Sequence, residues 1–154
     1  MRKLFAFIVP VLFLVGCNIS GEEVYMSPVN STWNKKGTLK FDFEINDSQT
    51  PKNIIFVVRN NNEYPYSNLR VFSTLKKSEA KSAKVDTLNY ILAKPNGEWI
   101  GSGFGDTKEI LFQYKLDYKF PENGKYTIEV QHAMRRDPLK GIEDFGIKIE
   151  QAKP

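Results

Sequence analysis

The sequence holds one cysteine and one histidine in 154 residues. That scarcity excludes a Cys/His zinc centre and a disulfide framework, each of which needs several such residues. The lone thiol of Cys17 also lacks the partners that would make it a catalytic nucleophile. Long apolar runs are missing as well. Leu4–Val15 is uncharged and almost wholly apolar, but it is shorter than the roughly twenty residues that span a bilayer. There is no sustained apolar stripe of helical spacing and no alternation of strands with helices. The glycines of Gly97–Asp106 run G-x-G-x-G, without dinucleotide spacing, and no Lys-Ser/Thr follows to make a phosphate loop. No calcium-loop pattern occurs. Carboxylate neighbours such as Asp42 and Glu44 alternate on an outward face, where solvation explains them. The expectation is a protein that is not an enzyme and carries no metal and no cofactor.

What is present begins with an address. Arg2 and Lys3 precede the apolar segment, which closes as Leu14-Val15-Gly16-Cys17. A positive start, a short apolar region, a small residue and then cysteine is the order of a bacterial lipoprotein signal. Residues 1–16 are therefore expected to be removed, with acyl chains, palmitate among them, carried at Cys17. Each buried methylene contributes about 0.8 kcal/mol, so two or more chains hold a domain stably on a bilayer. Residues 17–31 read as a lipidated tether with some order near Val24-Tyr25-Met26, and 32–154 as one domain. Removal of two basic residues leaves 20 basic and 18 acidic groups in residues 17–154. No concentrated basic patch is apparent along the chain, so a nucleic-acid partner is not expected.

The remainder alternates with period two. Leu39, Phe41, Phe43 and Ile45 share one face, with Lys40, Asp42 and Glu44 on the other. Similar strands are expected at Ile54–Arg59, Leu69–Leu75, Val85–Ala93, Ile110–Tyr118, Lys125–His132 and Phe145–Ile149. In the fifth of these seven, Ile110, Phe112, Tyr114, Leu116 and Tyr118 are expected to share a face. Asn60–Glu63, Pro95–Gly97 and Pro121–Gly124 supply turns. Seven or eight short strands with frequent turns predict an all-β antiparallel sandwich of jelly-roll type, with an up-and-down barrel as the alternative.

Three stretches carry candidate contact residues. Arg59 and Asn60 lead to Tyr64 and Tyr66, residue types common on recognition surfaces. A hairpin corner with locally packed tyrosines is the competing reading. Trp99 and Asp106 flank the glycine cluster, which reads either as a bend tucking Trp99 and Phe104 into the core or as a wall offering Trp99 to a sugar or peptide. Arg135 and Arg136 could grip a carboxylate or phosphate in a bidentate fork, or pair internally with Asp137. His132 reads as a packed or surface histidine.

These pieces, in order, resemble the GldH family of Bacteroidetes lipoproteins. The resemblance rests on the signal ending at Cys17, on Trp33, on Arg59-Asn60 with Tyr64-Pro65-Tyr66-Ser67-Asn68-Leu69, and on Asp86-Thr87-Leu88 leading to Trp99, Gly101, Gly103 and Gly105-Asp106. It continues in Met134-Arg135, Asp137-Pro138-Leu139, Gly141-Ile142 and Gly146. The resemblance implies a lipid-anchored envelope component of the gliding machinery linked to type IX secretion. Its partners would be the bilayer, through Cys17, and other gliding or secretion proteins. The default location is the outer membrane, facing the periplasm. An envelope glycan-binding module is the alternative, and no catalytic residues are implied.

Overall fold

The computed structural model describes residues 21–153; the signal segment and Cys17 lie outside the described residues. Eight strands form: β1 (Glu23–Pro28), β2 (Leu39–Ile45), β3 (Lys52–Asn60), β4 (Asn68–Lys77), β5 (Val85–Ile91), β6 (Lys108–Tyr118), β7 (Gly124–His132) and β8 (Ile142–Gln151). They pair antiparallel into two four-stranded sheets, ordered β1-β8-β3-β6 and β2-β7-β4-β5. This is the wiring of an eight-stranded jelly roll, as the alternation predicts.

The strand that alternates most regularly in sequence does so in space. Phe41, Phe43 and Ile45 of β2 are buried, while Lys40, Asp42 and Glu44 face water. From the opposite sheet, Phe56, Phe145 and Ile147 meet the same core. Phe145 touches the rings of Phe41 and Phe56, with centroids 6.4 and 5.1 Å apart. Each such side chain, fully buried, contributes about 1.5–3 kcal/mol. One open flank of the sandwich is closed between β5 and β6, where Tyr90 stacks on Phe112 at 4.4 Å and Asp86 accepts hydrogen bonds from Tyr114 and Lys115.

Three expectations change. The segment read as tether holds β1, which pairs with β8 from Glu23↔Ile149 to Pro28↔Asp144. Leu116 does not share the inward face of β6 and is 49% exposed. The β3–β6 register slips twice, between Lys52, Ile54 and Ile55, and these irregularities break the period of two. β5 stops at Ile91, two residues short of the expected Val85–Ala93.

Strand direction sorts the loops. β1, β3, β5 and β7 all run away from the end where residue 21 enters, and the other four return. Loops 29–38, 61–67, 92–107 and 133–141 therefore gather at one end, here the upper end. Each of the four bridges the two sheets. At about 3.3 Å per residue, the strands hold this end roughly 20–30 Å from the start of β1.

Candidate functional site

Every candidate residue among those described falls on the upper end. Arg59 and Asn60 close β3, Tyr64 and Tyr66 lie in loop 61–67, Trp99 and Asp106 in loop 92–107, and Arg135 and Arg136 in loop 133–141. Three separate stretches of sequence thus converge in the fold, although their side chains take different roles.

Asn60 and Tyr64 are interior. Asn60 points into the sandwich from β3, and its amide finds no hydrogen-bond partner among the described residues. Tyr64 is 4% exposed, and its hydroxyl donates to the Asn68 carbonyl at 2.7 Å. Burial pushes its phenol pKa up. The corner reading therefore holds for Tyr64, which supports Tyr66 (6.0 Å between rings) and Trp99 (6.3 Å) from below. Tyr66 is half-buried.

Trp99 is also partly covered. Its indole N–H donates to Asn62 Oδ1 at 3.0 Å, and Asn62 Nδ2 donates to Asp106 Oδ1 at 3.0 Å. One asparagine thus ties both ends of the glycine loop to loop 61–67. Two glycines are needed there: a Cβ on Gly101 would lie 2.6 Å from the Glu109 carbonyl oxygen, and one on Gly103 2.4 Å from that of Thr107. Lys108 braces the tip by donating to the Gly103 and Gly105 carbonyls at 3.2 and 2.9 Å. The loop does not tuck Phe104 into the core. Its ring is fully exposed, because the braced turn aims it outward. Phe104→Ser should accordingly leave the unfolding free energy within about 0.5 kcal/mol of wild type. A clear drop in a urea titration would mean that the ring packs.

Arg59 lies on the outer face of its sheet. Its Nε donates to Glu109 at 2.7 Å, and Nη1 lies 3.6 Å from Asp144. The hydrogen bond to Glu109 leads the effects that raise its pKa. Arg135 and Arg136 are exposed and, among the described residues, form no ion pair. The expected internal pair with Asp137 does not form among the described residues; that carboxylate accepts the Lys35 backbone N–H at 2.8 Å instead.

Beneath these loops sits His132, 1% exposed, with Trp33 edge-on at 5.4 Å. Burial lowers its pKa, against an opposing pull from Asp137. The unfolded chain therefore takes up the proton near pH 6.5, whereas the folded state resists. Stability should be complete above pH 6.5 and fall as pH drops through it toward the lower folded pKa. Urea midpoints at several pH values test this, and His132→Leu should flatten the dependence in that window.

No group of three or more His, Cys, Asp or Glu suited to a metal occurs among the described residues. Among the described residues no helix is long and apolar enough to cross a membrane.

The chain is a single-layer-pair jelly roll whose sheet-bridging loops assemble one braced, largely polar end. Its relatives specify it further. The family model described as GldH lipoprotein matches residues 23–149, and the chain belongs to that family. A gliding motility lipoprotein GldH homolog of Christiangramia forsetii is 41% identical over 127 residues, 78% of each chain. The gliding motility lipoprotein GldH of Flavobacterium johnsoniae is 38% identical over 130 residues, 80% of each. Among solved structures, dimeric latent PorU of Porphyromonas gingivalis aligns over 86% of this chain and 13% of its own, at TM-score 0.41 and 6% identity.

Proposed function

We propose that this protein is a non-enzymatic, lipid-anchored component of the gliding machinery linked to type IX secretion, acting through protein–protein contacts. The observation that carries the reading is the family match across 23–149 to relatives named gliding motility lipoproteins. Acyl chains at Cys17 tether the domain to the outer membrane on its periplasmic side. The tether joins the lower end of the sandwich, so the upper loops, with Tyr66, Trp99, Arg135 and Arg136, are turned toward partners.

The test is crosslinking and affinity recovery of the tagged lipoprotein from native membranes, with Cys17→Ala as control. Gliding or secretion components should be recovered with wild type and lost or mislocalised with the control. Recovery of no protein partner would overturn the reading and favour an envelope glycan as ligand.

A further inference from the structure

The formal charge of residues 21–153 is small, with 20 basic and 18 acidic groups, but the fold distributes it unevenly. Loops 29–38 and 133–141 carry Lys35, Lys36, Arg135, Arg136 and Lys140 against one carboxylate, Asp137. The other described residues hold 15 cations and 17 carboxylates. The two loops are far apart in sequence and bound together in space. Trp33 N donates to Leu139 O at 2.9 Å, Leu139 N to Trp33 O at 2.7 Å, and Lys140 Nζ to Thr32 Oγ1 at 3.4 Å. The Lys35 N–H bond to Asp137, the one carboxylate of the two loops, completes the seam, and Ser31 Oγ of the first loop donates to the Glu63 carboxylate of loop 61–67 at 3.3 Å. All five cationic residues are exposed, and none forms an ion pair among the described residues. Of the fifteen other cations among the described residues, seven do: Lys40, Arg59, Lys76, Lys77, Lys94, Lys115 and Lys148.

We propose that loops 29–38 and 133–141 form a cationic cap that docks a carboxylate-rich segment of a protein partner. This rests on the machinery reading above and names the surface and the partner's chemistry. Three observations select that occupant. The cap is at the upper end, and with the anchor at Cys17 that the machinery reading proposes, at most about 20 Å of chain precedes β1, so the cap lies at the end of the domain opposite the attachment. None of the five cations lines any of the principal cavities of the described residues, so those enclosed spaces are not where they would meet a single phosphate. Spread over two loops, they suit several carboxylates in a row, and the adjacent Arg135 and Arg136 offer planar forks that match carboxylate geometry. Charge of one sign at a protruding end also steers encounter, so it governs association rate and salt dependence more than residence time.

The test uses the full-length lipoprotein in detergent with poly-L-glutamate as probe. One variant neutralises the cap by Lys35→Gln, Lys36→Gln, Arg135→Gln and Arg136→Gln. A matched variant makes the same charge change at the opposite end with Lys81→Gln, Lys84→Gln, Lys119→Gln and Lys153→Gln. All eight positions are exposed, and equal melting temperatures verify folding. Wild type and the matched variant should bind, and the cap variant should lose about tenfold or more in association rate at low salt. The difference should shrink near 0.15 M salt, where the screening length is about 8 Å. Equal loss in both variants, or no binding by wild type, overturns the cap. So does equally tight, cap-dependent binding to phosphatidylglycerol vesicles, which would assign the surface to lipid phosphate. In native membranes, recovery of gliding components should fail with the cap variant only. Equal recovery by both variants would sink the cap and keep the machinery reading; recovery with neither variant nor wild type would sink the machinery reading itself.

Discussion

Gly141→Ala should destabilise the domain by about 3 kcal/mol or more, through backbone strain and a steric clash acting together. Gly141 has a φ of +83°, in the left-handed region that a β-carbon disfavours. A Cβ there would lie 2.2 Å from the Tyr64 backbone nitrogen and 2.4 Å from its Cα. Backbone cannot rotate aside as the end of a side chain can, so loop 61–67 would have to shift. The same residue is a junction of three upper loops. Its N–H donates to Ser31 Oγ at 2.8 Å, and its carbonyl accepts from Asn61 N–H at 2.9 Å. Moving it disturbs the seats of Tyr64, Ser31 and Asn61 at once. At about 2–4 °C per kcal/mol for a domain approaching 150 residues, the melting temperature should fall by about 10 °C. Gly97→Ala is the comparison: its φ is +86°, yet nothing lies within 4 Å of the added carbon. That variant should lose only the strain, about 1 kcal/mol. Equal losses in the two variants would show that the Tyr64 contact contributes nothing.

The role of Gly141 shows why some features were legible in the sequence and others were not. Alternation in β2 and β7 can be read directly, since facing the core on one side and water on the other is a local property of a strand. The four-loop end was legible only in pieces. Tyr64, after Asn60–Glu63, reads either as a recognition residue or as part of a corner with locally packed tyrosines; the corner reading holds, but the close contact comes from the distant loop that ends at Gly141. β1 lacks a strong signal, with Tyr25 and Ser27 only half-buried, because its pairing with β8 rather than its own pattern holds it. Leu116 fits the alternation and fails in space because register slips are set by the facing strand. Phe104 departs from what its residue type suggests: aromatics usually go inside, but the braced glycine turn decides where this one points. The cationic cap was invisible for the plainest reason. Its charges come as Lys35-Lys36, Arg135-Arg136 and Lys140, and no run along the chain is strongly basic until β1–β2 and β7–β8 bring their loops together.

Trp33→Ala should cost about 3–5 kcal/mol, the range for removing a large aromatic side chain from a packed core. The indole is 2% exposed, edge-on to His132 and 5.5 Å from the Phe145 ring. Its Nε1–H donates to the Gly37 carbonyl at 3.0 Å and so closes the turn that carries Lys35 and Lys36. The backbone of the same residue pairs with Leu139 on both sides, seating that turn beside Arg135 and Arg136. Truncation would therefore open a cavity under the upper end and loosen the seam of the cap. Trp33→Phe separates these effects. It keeps most of the ring volume and the backbone pairing and removes only the Gly37 bond, so its loss should be about 1–2 kcal/mol. It also leaves Trp99 as the single tryptophan, a fluorescence reporter on the neighbouring loop. In urea, Trp33→Phe should unfold in one transition by Trp99 fluorescence and circular dichroism alike, at a midpoint between those of Trp33→Ala and wild type. Two separate transitions would mean that the upper loops melt apart from the sandwich. In that case Trp33 would anchor a local unit, and its truncation would abolish cap binding with little loss of global stability.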